Sequence, residues 1–132
     1  MFEVMGQIKN EFTSTVLGSK LRMEYLFCTY FLEQDLCYAK YFKKTDQKLE
    51  FCTCEPAARR ELEICYSLQK GSLVRSIRPK GKRFYKGYTI LLEHVKDIEW
   101  RLKKGYLQLV VHLSYKGLNY KINEVIQTSC GR

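Results

Sequence analysis

The sequence predicts an α+β domain in which N-terminal helices pack against a C-terminal antiparallel β-sheet carrying a projecting basic hairpin. Three observations lead there. Apolar residues recur at spacings of three and four through much of the first half, which is the helical period. After Gly71 the period changes to two, the signature of half-buried strands. And "SIRPKGKRFYKGY" (76–88) sets a Pro/Gly turn signal between two such runs. Helices first and paired strands later is the α+β order.

Within residues 2–17, Val4, Ile8, Phe12 and Val16 form a helical stripe, with Gly18 placed to end that helix and Ser19 to cap a second. Residues 20–43 have two readings. As one helix, Leu21, Tyr25, Cys28, Leu32, Leu36 and Ala39 share a face; as a hairpin, "MEYLFCTYF" and "LCYAKYF" flank a turn. The helix is preferred, with Lys43 and Lys44 at its C-terminal end. "LEFCTC" (49–54) reads as a strand. Pro56–Lys70 is expected to be a helix, with Pro56 at its first position, Gly71 just past its end, and Leu62, Cys65 and Leu68 on its buried face.

"SLVRSI" and "KRFYKGYTILL" then read as strands around "RPKG", a type I turn with Pro79 second and Gly81 fourth. Residues 93–104 fit a helix through Val95, Ile98 and Leu102, or a strand through Ile98, Trp100 and Leu102. The spacings Asp97 to Arg101 and Glu99 to Lys103 favour the helix. "YLQLVVHLSY" and "LNYKIN", joined by Lys-Gly, form a second hairpin, and "TSCGR" is expected to fray. The length of 132 residues suits one compact domain spanning 1–132, with no Pro/Gly-rich linker or repeat to divide it. An aromatic share of 14% is more than disordered chains carry.

The charge is local. Residues 1–63 hold nine basic and ten acidic residues, 64–92 hold seven basic and no acidic ones, and 93–132 hold seven and four; the total is +9. The middle block supplies the candidate binding residues Arg75, Arg78, Lys80, Lys82, Arg83 and Lys86, with Phe84 and Tyr85 among them. Lysine and arginine neutralise phosphates, and rings stack on unpaired bases. A two-stranded ribbon also fits the DNA major groove. About six phosphates would give a log–log salt slope near −5 on duplex. The expected function is therefore nucleic-acid binding, to DNA or RNA, through the phosphate backbone. The alternative is a protein-interaction module, such as a phage or mobile-element accessory factor or inhibitor, using the hairpin against an acidic protein surface. The plainest reading is that exposed lysines keep edge strands from aggregating.

No enzyme motif is readable. His94 and His112 stand outside any zinc spacing, and no phosphate loop or nucleophile elbow occurs. "FCTC" is C-x-C rather than C-x-x-C, so neither metal nor cofactor is expected. The absence of a secretory pattern and of a long apolar run predicts a cytoplasmic protein away from membranes, and hence six reduced cysteines.

Overall fold

The computed structural model describes residues 2–4, 16–45, 47–55 and 60–128. Among them are one helix, α1 (Val16–Leu36), and two antiparallel sheets, so the α+β class holds in its coarse form while strand predominates. The strands are β1 (Phe2–Val4), β2 (Lys40–Thr45), β3 (Lys48–Glu55), β4 (Arg60–Gln69), β5 (Ser72–Pro79), β6 (Lys86–Leu92), β7 (Val95–Lys103), β8 (Tyr106–Tyr115) and β9 (Leu118–Gln127). One sheet has the order β2-β3-β4-β5-β6 and the other β1-β9-β8-β7. From β2 onward each strand pairs with its chain neighbour, except that β6 does not pair with β7. The chain changes sheets there, at His94, whose φ of +63° turns the corner. Val95 N donates to Gly71 O (2.9 Å) and Ser114 N to His94 O (2.9 Å), which fixes that corner to the β4–β5 turn of one sheet and to β8 of the other.

Helix α1 settles the choice over 20–43 in favour of a helix, but one that stops at Leu36. Ala39 N closes the end on Leu36 O, and β2 begins at Lys40. Leu21, Cys28, Leu32 and Leu36 are buried. At the other end, Phe2–Val4 is a strand on β9 and α1 already includes Gly18 and Ser19, so neither residue serves as a cap. The rest of the predicted first helix, residues 5–15, lies outside the described residues.

Two predicted helices are strands. The expectation for Pro56–Lys70 fails because residues 60–69 form β4, while 56–59 lie outside the described residues. From Glu61 to Tyr66 the side chains alternate between the two faces of the sheet. Leu62, Ile64 and Tyr66 face inward opposite Thr53, Phe51 and Leu49 of β3, while Glu61, Glu63 and Cys65 lie on the other face, where Cys65 is buried as well. The spacing Leu62, Cys65, Leu68 that suggests a helix joins residues from both faces of this strand. The preferred helix over 93–104 fails for a different reason. β7 carries a register shift between Val95 and Asp97, so Val95 and Ile98 are both buried at an odd spacing that imitates a helix.

The β5–β6 hairpin forms, with its turn one residue later than expected. Lys82 N donates to Pro79 O (3.1 Å), so Pro79 is the first turn residue. Gly81, at φ +89°, then occupies the third position, where a type II turn demands the left-handed region. β6 starts only at Lys86, which leaves residues 82–85 as loop.

One apolar cluster draws on α1 and both sheets, including Leu32, Phe51, Tyr66, Leu92, Ile98 and Trp100. The Tyr66 and Trp100 rings meet edge to face at 6.0 Å. Burying such a side chain fully contributes roughly 1.5–3 kcal/mol. Lys44 Nζ donates to Trp100 O (3.0 Å), a tie between the sheets at their edge strands. Among the described residues the Trp100 indole N–H has no acceptor, and no helix is long and apolar enough to cross a membrane.

Candidate nucleic-acid interface

The acid-free block of the sequence acquires acids from its neighbours in space. Arg75 lies on the inner face of β5, opposite Tyr66. Its Nε and Nη2 donate to Asp35 Oδ2 (2.6 Å) and Oδ1 (2.9 Å) at the end of α1, and Tyr66 donates its hydroxyl to the same Oδ2 (2.6 Å). Its guanidinium also sits 4.9 Å from the Phe31 ring. Burial opposes the Arg75 charge, but the bond and charge of Asp35 outweigh it and hold the pKa above its ordinary value. Burial, then the Asp35 charge, pushes the Tyr66 phenol well up. This triad joins helix to sheet.

Arg78 is also committed. Opposite Glu63 in the β4–β5 register, it donates from Nε to Glu63 Oε1 (3.1 Å) and from Nη1 to Arg83 O (3.0 Å). Tyr85 covers it, with the guanidinium carbon 4.2 Å from the ring, and donates its hydroxyl to Glu50 Oε2 (3.0 Å). Burial first, then the Glu50 bond, raises the Tyr85 pKa. The loop thus folds over the outer face of the five-stranded sheet.

Lys80 reaches Glu61 Oε2 at 3.2 Å, and Lys40 of β2 reaches Oε1 of the same carboxylate at 3.5 Å. The bond from Lys80 and its charge lower the Glu61 pKa, and the same bond raises that of Lys80. Two lysines sharing one carboxylate leave a surplus positive charge. Lys82 and Arg83 are exposed, and among the described residues neither has an acidic partner. Phe84 between them and Tyr85 is 73% exposed. Lys86 opens β6 opposite Ile77.

Of the eight residues singled out in the sequence, then, Lys80, Lys82, Arg83 and Phe84 stand at the surface of the turn and loop. Arg75, Arg78 and Tyr85 are bound into the sheet. What the sequence did not indicate is Lys40 and Tyr41. Their place beside the turn follows from strand pairing across the sheet, which no local pattern reports.

Concave surfaces lie elsewhere. A cleft of about 670 Å³ at the C-terminal end of α1 has Leu62, Ile64 and Ile77 on its sheet side and the Asp35–Arg75 pair at its edge; those two charges are spent on each other. A groove of about 420 Å³ runs between Met23 and Phe27 of α1 and Ile90 of β6. It belongs to a wider apolar surface, because Met23, Leu26, Phe27, Tyr30 and Ile90 are all exposed and β6 is the edge of its sheet.

Among the described residues no cluster of His, Cys, Asp and Glu is arranged to hold a metal ion. The His94 and Tyr115 rings meet at a tilt of 40° with centroids 4.4 Å apart, and His112 lies in β8 between Asp97 and Lys121. Cys28, Cys52, Cys54 and Cys65 are free thiols. Burial pushes Cys28 up to about 12 and, chiefly, Cys65 up to about 11, so both are neutral and poor nucleophiles near pH 7. Cys37 corrects the expectation of six reduced cysteines: it is disulfide-bonded. Sequence spacing carries no information about which thiols the fold brings within bonding distance.

Comparison of the chain with protein-family models and with curated proteins gives no match.

Proposed function

We propose that this chain binds nucleic acid through the end of the five-stranded sheet formed by Lys40, Lys80, Lys82, Arg83 and Phe84. The observation that carries the reading is the pair Lys82 and Arg83, exposed and without an acidic partner among the described residues, beside the exposed Phe84. The footprint is smaller than the sequence suggested. Arg75 and Arg78 are neutralised by Asp35 and Glu63. Lys82, Arg83 and the surplus charge of the Lys40–Lys80 pair offer contacts to about three phosphates. The corresponding log–log salt slope is about −2 on single strands and about −3 on duplex. Binding of this kind positions the polymer without reading its sequence.

Titration of random-sequence DNA and RNA at several salt concentrations tests this. Replacing Lys82 and Arg83 together by Ala should weaken binding and flatten the slope by about 1.5 units on single strands. Absence of binding at low salt by the intact protein overturns the reading.

The second reading is a protein-interaction module, such as an accessory factor or inhibitor of a nucleic-acid-processing complex. It is favoured by the apolar surface of Met23, Leu26, Phe27, Tyr30 and Ile90, since clustered exposed apolar side chains mark interaction sites. Both readings place the chain in the cytoplasm. The free thiols support that location, and the Cys37 disulfide is the observation against it.

A further inference from the structure

Tyr41 is held in a conformation that a tyrosine avoids. Its φ is +59°, and the three other non-glycine residues with positive φ among those described, Lys70, His94 and Lys116, lie in turns or at the sheet corner. Tyr41 alone is within a strand. The cause is a bulge: Lys40 pairs with Cys52 and Lys43 with Glu50, so β2 spends one more residue than β3 over this step. The bulge lets Phe42 turn inward onto Phe51, ring centroids 5.6 Å apart, and leaves Tyr41 outside, 70% exposed. Left-handed backbone at a bulky residue stores strain, and bulges re-aim side chains at functional places.

What surrounds the ring is equally specific. The Lys40 ammonium lies 5.5 Å from its centroid and the Lys80 ammonium 5.7 Å, while Glu61 holds both lysines. An exposed aromatic ring flanked by two anchored cations offers stacking and phosphate contact at one point. Only an unpaired base can use both, because duplex bases are already stacked on each other.

From this arrangement we infer that Tyr41 is a stacking platform for an unpaired base of single-stranded nucleic acid, with the surplus charge of the Lys40–Lys80 pair taking the adjoining phosphate. The inference rests on the nucleic-acid reading above and adds the preference for single strands and the residue that confers it.

The test uses fluorescence anisotropy with a short labelled oligonucleotide of mixed sequence, single-stranded and annealed to its complement. Tyr41→Gly removes the ring and relieves the left-handed strain, so the variant should melt no lower than the parent. It should bind the single strand roughly 5- to 150-fold more weakly, bind duplex as before, and keep the salt slope. Tyr41→Phe should bind like the parent. If Tyr41→Gly binds the single strand as tightly as the parent while the Lys82/Arg83 double variant binds weakly, the platform inference is wrong and the nucleic-acid reading stands. If Tyr41→Gly melts lower and loses duplex and single-strand binding alike, the ring is structural and the inference is also overturned. Failure of the parent to bind either probe at low salt removes both.

Discussion

Arg75 and Asp35, forty positions apart in the chain, meet in a bidentate ion pair of 2.6 and 2.9 Å, with the Tyr66 hydroxyl closing the same carboxylate. Asp35 is the last-but-one residue of α1 and Arg75 lies mid-strand in β5, so this contact fastens the helix end to the sheet. With the side chains only 14% and 7% exposed, removing one partner strands a buried charge. Asp35→Ala should cost roughly 3–5 kcal/mol in denaturant unfolding. Arg75→Met and Asp35→Leu, combined with Tyr66→Phe, should recover much of that loss, because the apolar set leaves neither an unpaired charge nor an orphaned hydroxyl. If the single variant unfolds like the parent, the pair does not hold the helix in solution.

The strand identity of 60–69 makes a second prediction. Ile64 is 1% exposed on the inner face, so Ile64→Ala should cost roughly 2–5 kcal/mol. Glu63→Ala, one residue away on the outer face, should cost far less, since it is part of a half-exposed pair with Arg78. In a helix the two replacements would show no such strict alternation. Equal losses at 62, 63 and 64 would contradict the register.

These two elements show how far the sequence could be read. The C-terminal hairpin 106–123 and the β5–β6 hairpin were legible because alternation and Lys-Gly or Pro-x-Gly turn signals coincide there. β4 was misread because Pro56 and Gly71 sit where helix boundaries would, and because Leu62, Cys65 and Leu68 meet the helical spacing by accident. β7 was misread because a bulge moved Val95 out of alternation. The charges of the candidate site were visible, but their neutralisation was not. Asp35, Glu63 and Glu61 reach Arg75, Arg78 and Lys80, and Glu50 reaches the Tyr85 hydroxyl, only through strand register and helix packing, which are long-range facts.

The buried thiols and phenols set an alkaline limit to stability. Burial raises Cys28 from an ordinary 9.0 to about 12, and burial together with the Glu50 charge brings Cys65 to about 11. Tyr66 and Tyr85 are raised as well, by burial first. Where folded pKa values are raised, the unfolded chain loses its protons first as pH increases. Unfolding then releases protons, and stability falls with rising pH. The contribution is fully present below about pH 9 and declines through pH 9–12. Thermal midpoints measured from pH 7 to 11 should drop above pH 9, and less steeply in Cys28→Val. A midpoint flat across that range would mean these groups are solvated.

Glu61 stands between two lysines at the proposed interface, with the Lys80 side chain 47% exposed and its own 39%. Exposed ion pairs contribute little to folding, so Glu61→Gln should melt close to the parent. Its effect on binding should be larger and of the opposite sign to that of most surface changes. With the carboxylate neutralised, Lys40 and Lys80 are both released for phosphate, and the single-strand salt slope should steepen by about 0.7 for the one added contact. Affinity at low salt should rise accordingly. Protonating Glu61 would act in the same direction, but the lysines hold its pKa below the ordinary 4.5, so no such gain should appear between pH 5 and 8. Anisotropy titrations of the parent and Glu61→Gln at pH 7, over a range of salt, check the prediction. Unchanged affinity and slope would mean that phosphates do not reach Lys40 and Lys80, and would confine the interface to Lys82, Arg83 and Phe84.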